Sequence, residues 1–232
     1  MKSAFGGTLT GIVFSGGKGP PPGIIRAHID ELSGTCLIAA ADSGLETAEK
    51  AGLKPDWIVG DMDSLSDPSR LDAYSAAQVL RYPRDKNYTD TELAFSLLSE
   101  KGCNEIWIAG GGGGRVDHLF GIRSMCERKV FPARWILDTA DVFCVEAGKG
   151  FALPFTRHLE KNALVSVLPL GEGPWRASSR GLKWPLDNVI WDRGFIGVSN
   201  AAPDGEFLLN AEQGRFMGII PRNSEERVLF QQ

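Results

Sequence analysis

The chain has little that would crosslink it, anchor it in a membrane or draw it to a polyanion. Its four cysteines, Cys36, Cys103, Cys126 and Cys144, are widely spaced and form no CxxC pair, which argues against a zinc site or a disulfide framework. Cys36 and Cys144 sit in apolar runs and Cys103 just precedes one, where a thiol acts as a small core residue; a reducing cytoplasm fits that usage. No apolar run approaches the roughly 20 residues that span a bilayer. Residues 1–7 lack a long apolar core and a cleavage-like site, so no signal peptide is expected. There is no basic excess either. With 25 Lys and Arg against 29 Asp and Glu the formal net charge is −4, which speaks against non-specific binding of nucleic acid. Familiar catalytic signatures are also missing. Three histidines and no GxSxG elbow give a Ser-His-Asp triad little support. Ser15-Gly16-Gly17-Lys18-Gly19-Pro20 lacks the GxxxxGK[ST] pattern of a Walker A loop.

What remains is ordinary globular composition, 43 % hydrophobic and 23 % charged, in a length of 232 residues that suits one large domain or two small ones. Near-continuous apolar runs at 11–15, 36–40, 57–59, 105–109 and 135–137 suit strands buried on both faces, as in a parallel sheet. Helical stretches lie between them near 23–33, 44–51, 67–76, 90–101 and 116–130, with Thr89 or Asp90 as the cap of the fourth. After Val145 the helical rhythm stops. Short segments near 151–153, 163–168, 188–191, 195–198, 206–209 and 215–220, punctuated by Gly and Pro, read as strands. The expected fold is therefore an α/β protein. An open, mostly parallel sheet with flanking helices fills 1–147, and an all-β, sandwich-like domain fills 148–232.

Four constellations at strand ends carry chemistry. Ala41-Asp42-Ser43-Gly44 follows the second apolar run, where an open sheet gathers its ligands, although Asp and Ser also serve as helix caps. Gly60-Asp61-Met62-Asp63-Ser64 follows the third. In extended chain Asp61 and Asp63 would point the same way about 6.5–7 Å apart, and two such carboxylates call for a hard cation such as Mg²⁺. Arg84-Asp85-Lys86-Asn87-Tyr88-Thr89-Asp90-Thr91-Glu92 runs into a helix whose start attracts anions, and Lys86 adds a cation. Gly110-Gly111-Gly112-Gly113-Gly114-Arg115-Val116-Asp117-His118 offers backbone N–H groups that can close around phosphates and a guanidinium that can clamp them. This run lacks the acidic residue about 20 positions on that a dinucleotide site expects.

Together these motifs resemble the thiamine pyrophosphokinase family in order and spacing. Gly181-Leu182-Lys183-Trp184 and Gly197-Val198-Ser199-Asn200 extend the resemblance, which covers about residues 11 to 220. It implies transfer of the pyrophosphoryl group of ATP to the hydroxyl of thiamine, giving thiamine diphosphate and AMP, by a cytoplasmic homodimer with ATP and thiamine as partners and no nucleic acid or membrane. By position it implies that Asp42, Asp61, Asp63 and Asp90 are catalytic and hold Mg²⁺. Gly112, Gly113, Gly114, Arg115, Asp117 and Lys86 would bind the nucleotide, and Ser199, Asn200 and Asp90 would face thiamine. Trp184 and Trp191 are candidates to stack on it. The chain departs from the family where Lys86-Asn87 replaces the usual Lys-Asp, which leaves Asp85 as the nearby carboxylate, and where Ile122 replaces a small polar residue. Other readings of a DxD after a strand are a metal-dependent sugar-nucleotide transferase, a phosphohydrolase, or a module that binds thiamine or a nucleotide without turnover. The acid excess itself is lopsided: residues 1–145 hold 15 basic and 19 acidic side chains, whereas residues 146–232 hold 10 of each.

Overall fold

The computed structural model describes residues 8–32, 34–148, 150–152 and 159–222. The chain forms two compact units. Among the described residues the first contains six strands: β1 (Thr10–Ser15), β2 (Cys36–Ala41), β3 (Trp57–Gly60), β4 (Val79–Arg81), β5 (Glu105–Gly110) and β6 (Arg134–Ile136). All pair in parallel, in the order β6-β5-β1-β2-β3-β4. The central strand explains why the apolar runs are continuous: all six residues of β1 are buried, with Ile12, Val13 and Phe14 inaccessible, because helices cover both faces. From β1 the chain runs outward to β4 and then returns to the other side of β1 for β5. That reversal leaves a crevice at the carboxyl ends of the strands, the usual ligand position in such sheets.

Four helices accompany these strands: α1 (Pro22–Asp30), α2 (Gly44–Lys50), α3 (Asp90–Glu100) and α4 (Val116–Met125). Thr89 caps α3 in a reciprocal box, accepting from the Glu92 N–H while Glu92 accepts from the Thr89 N–H. Helix α3 packs Ala94, Phe95 and Leu98 against β1, β2 and β3. The helix expected over 67–76 is instead a short 3₁₀ segment, Pro68–Ala73, with Asp67 accepting from the Ser69 N–H. Helix α4 stops at Met125 rather than 130, and residue 33, at the end of the expected first helix, lies outside the described residues.

The second unit takes residues 140–222 together with 126–129. Strands β7 (Ala140–Glu146), β9 (Ala163–Leu170), β11 (Gly197–Ala202) and β13 (Arg215–Pro221) form an antiparallel sheet in the order β11-β9-β13-β7. A second sheet orders β10 (Arg176–Arg180), β12 (Leu208–Gln213) and β8 (Gly150–Ala152). Their inner faces share a core of Phe143, Val165, Val167, Leu209, Ala211 and Phe216, which Trp191 joins from the loop before β11. The break between units falls near residue 140, ahead of the expected 147/148, because seven residues of β7 pair with β13. The stretch 188–196 forms turns, not the expected strands, and β11 starts only at Gly197. Conversely, the polar β10 and the three-residue β4 carried no apolar signal. Residue 153 of the expected 151–153 strand lies outside the described residues.

The first unit depends on close helix–sheet packing. Leu98→Ala empties a fully buried site and is expected to cost about 2–5 kcal/mol, read as a lower urea midpoint at unchanged slope.

Candidate active site

At the carboxyl edge of the parallel sheet a cleft of about 570 Å³ is lined by all four constellations. Three carboxylates, of Asp42, Asp61 and Asp90, meet in it with one oxygen each within 4.8 Å of the others. Each comes from a different place: the end of β2, the residue after β3, and the first turn of α3. Backbone geometry makes room for them. Gly60 has φ 148°, and a Cβ there would overlap the Asp42 carboxylate and lie 3.1 Å from Asp90 Cγ, so only glycine fits. Asp42 itself sits at φ 45° and Met62 at φ 67°, left-handed conformations that Asp tolerates better than most residues. The Met62 N–H donates to Asp42 Oδ1 at 3.0 Å, and the Ser43 N–H donates to Ser64 Oγ at 3.2 Å. These two bonds tie the loops after β2 and β3 together.

The electrostatics separate the three acids. Burial, reinforced by Asp90 beside it, pushes the Asp42 carboxyl up to about 7. The Asp63 N–H, 3.1 Å from Asp61 Oδ1, holds Asp61 below the usual range, with Lys86 and Arg84 adding to the effect. The Lys86 ammonium lies 3.0 Å from Asp90 Oδ1 and 4.0 Å from Asp61 Oδ2. One lysine thus faces a cluster that, fully ionised, would carry three negative charges. A hard-oxygen set this close, with one member raised by burial and by its acidic neighbour, fits a divalent cation.

Asp63 is not part of this trio. Because Met62 is left-handed, the chain turns after Asp61 instead of continuing as a strand, and Asp63 pairs with Arg84 at 3.6 Å on the cleft rim. Asp85 and Asn87 are exposed and do not line the cleft. Gly112, Gly114, Arg115 and His118 do line it. Arg115 is held by Asp117 through two bonds, Nε to Oδ1 at 3.2 Å and Nη2 to Oδ2 at 2.5 Å.

In the second unit Ser199 has φ 62° and its N–H donates to Ser166 Oγ. The buried Asn200 amide is spent on backbone: Oδ1 accepts from the Trp184 and Ala201 N–H groups, and Nδ2 donates to the Trp184 carbonyl. It therefore fixes the turn that presents Trp184. That ring is exposed, with Lys183 Nζ 4.6 Å from its centroid. Trp191, by contrast, is core, packed edge-on against Phe195 and Phe216.

Comparison with known proteins follows this division. Residues 30–132 match the thiamin pyrophosphokinase catalytic domain, and residues 153–225 match the thiamin pyrophosphokinase vitamin B1 binding domain. The chain belongs to the thiamine pyrophosphokinase family. Among its relatives, thiamine pyrophosphokinase 1 of Oryza sativa subsp. japonica is 27 % identical over 181 residues, covering 73 % of this chain and 67 % of that protein. The thiamine pyrophosphokinase of Bacillus subtilis is 28 % identical over 158 residues, 66 % of this chain and 71 % of that one. The fold matches the crystal structure of thiamine pyrophosphokinase from Bacillus subtilis at TM-score 0.73, with 24 % identity over 93 % of this chain and all of that one. The structure from Geobacillus thermodenitrificans matches at 0.70, with 24 % identity over 94 % and 99 %.

Within this thiamine pyrophosphokinase fold, sequence reasoning assigned no role to three residues at or beside the site. Ser15 lines the cleft and its hydroxyl meets the Thr91 hydroxyl at 2.7 Å. Arg84 pairs with Asp63. The buried Asp138, just past β6, pairs with Lys18 at 2.7 Å. The strand-end rule that found Asp42 also applies to Leu137-Asp138.

The raised Asp42 carboxyl has a consequence for stability. Between about 4 and 7 the native state keeps a proton that the unfolded chain has released, so stability falls as pH rises through that window and stays lower above it. Asp42→Asn keeps the acceptor for Met62 and removes the charge. In metal-free protein at pH 8 it is expected to stabilise by about 1 kcal/mol after solvent screening, about 2–4 °C in Tm, with the gain shrinking toward pH 4.

Proposed function

We propose that the cleft of the first unit transfers the pyrophosphoryl group of ATP to the hydroxyl of thiamine, giving thiamine diphosphate and AMP, with Asp42, Asp61 and Asp90 holding Mg²⁺. The observation that carries this reading is the meeting of those three carboxylates beside a glycine run and a pre-oriented arginine. Bound there, the metal would neutralise the phosphate charge that builds up in phosphoryl transfer.

The chain's own groups do the rest by position. Gly112 lines the cleft with its N–H spent on the Lys18 carbonyl, and Gly113 and Gly114 turn their backbone N–H groups toward the polyphosphate. Arg115, braced by Asp117, clamps its oxygens bidentately. Lys86, anchored on Asp90, adds a charge that follows the transferred unit. Attack at the β-phosphorus makes AMP the leaving group, and the hydroxyl proton passes to a carboxylate of the same acidic set. Asp63, tied to Arg84, extends the acidic rim. Ser199 and Asn200 shape the thiamine-facing surface of the second unit, where the exposed Trp184 ring supplies a face for a cationic heterocycle. Thiamine is itself a cation, so an acidic cleft favours it as well as the metal. The same reading takes a homodimer as the working form and the cytoplasm as its place. Among the described residues no helix is long and apolar enough to cross a membrane.

Incubation with ATP, Mg²⁺ and thiamine is expected to release AMP and thiamine diphosphate in equal amounts, with no AMP from a thiamine analogue lacking the hydroxyl. Thiamine binding without AMP would point to a sensor, and ADP as product would contradict β-phosphorus attack. Asp61→Asn is expected to lower kcat by at least about 100-fold at unchanged melting temperature. Near-normal turnover in that variant would remove Asp61 from the metal set.

A further inference from the structure

The segment Ser15-Gly16-Gly17-Lys18, which begins at the last residue of β1 and has no Walker pattern, is bound to the glycine run along its backbone. The Lys18 N–H donates to the Gly112 carbonyl at 2.7 Å, the Gly112 N–H donates back to the Lys18 carbonyl at 3.3 Å, and the Gly111 N–H donates to the Gly16 carbonyl at 3.0 Å. The Lys18 side chain then crosses the run. Gly113 has φ 66°, and a Cβ placed there would lie 2.5 Å from Lys18 Cβ and 3.0 Å from its Cδ, so the stem rests on this residue. Beyond it the ammonium reaches Asp138 Oδ2 at 2.7 Å. From the other side Asp138 Oδ1 lies 3.4 Å and Leu137 Cδ2 3.1 Å from where a Gly112 Cβ would stand.

Three features make this more than a surface ion pair. The Asp138 side chain is only 8 % exposed whereas Lys18 is 63 % exposed, so the carboxylate is fixed and the lysine is drawn to it. A buried carboxylate holds its charge only with a partner. And five successive glycines, left alone, would lose much conformational freedom on closing around a ligand. We propose that Lys18 and Asp138 are positioning residues that clasp the glycine run from both sides and pre-set its remaining N–H groups, those of Gly113 and Gly114, for the ATP phosphates. This rests on the functional reading above, which turns the run toward ATP. Neither residue lines the cleft, so both act through the loop.

The test measures binding of the Mg²⁺ complex of α,β-methylene-ATP, which cannot be cleaved at the reacting bond, together with KM for ATP and for thiamine. Asp138→Asn and Lys18→Met are each expected to raise Kd for the analogue and KM for ATP about tenfold while KM for thiamine stays within about twofold. Lys18→Arg, which keeps the ion pair, restores both. The double variant is no worse than either single one. Should Asp138→Asn fail to fold, the exposed Lys18 still gives the answer. Unchanged analogue binding in Lys18→Met overturns the clasp. So does weakening by Lys18→Met alone while Asp138→Asn binds normally, because Lys18 would then touch the nucleotide directly. A parallel rise in both KM values with a lowered melting temperature overturns it too, as plain structural damage. Since analogue binding needs no turnover, absence of AMP formation in the unaltered protein would sink the functional reading separately from the clasp.

Discussion

Three carboxylates within 4.8 Å of one another cannot all remain ionised unless positive charge joins them, and the first unit is organised around that constraint. The parallel sheet brings the ends of β2 and β3 side by side, and α3 enters with Asp90 in its first turn. Glycine at position 60 leaves the space that the acids fill. Left-handed backbone at Asp42 and Met62 turns the loops back on themselves, so that carboxylates aim into the cleft rather than along the strands. Strain of this kind is tolerated where neighbouring structure enforces it, here through the Met62 and Ser43 N–H bonds.

The charge is only partly met by the protein itself. Lys86 serves Asp90 and Asp61, backbone N–H groups serve Asp61 and Asp42, and burial beside Asp90 still raises the Asp42 carboxyl to about 7. This division places a deficit of positive charge at one spot, next to a glycine run and an arginine suited to polyphosphate. The acid excess lies in the half of the chain that holds the cleft. A divalent cation and a cationic acceptor both match its sign.

Much of the fold was legible in the sequence because buried parallel strands carry continuous apolar runs; the strand-end rule then points to Asp61 and the glycine run, and to Asp42, which reads equally well as a helix cap. The polar β10 and the short β4 were not legible, since neither buries enough side chain to leave a pattern. The apolar residues between 188 and 196 misled in the opposite way. Trp191 is core while Ile190 and Ile196 are exposed, and the chain between them is turn. Asp63 shows the limit of spacing arguments. The i, i+2 rule holds only in extended chain, and the left-handed Met62 breaks it. The Lys18–Asp138 pair joins residues far apart in sequence, a relation that no local pattern encodes.

Direct metal binding tests most simply whether Asp42, Asp61 and Asp90 form one cation site. Calorimetric titration of the nucleotide-free protein with Mg²⁺, repeated with Mn²⁺, is predicted to give saturable binding that Asp90→Asn weakens at least about tenfold while the fold is kept. Absence of saturable binding, or equal binding by the variant, would contradict it.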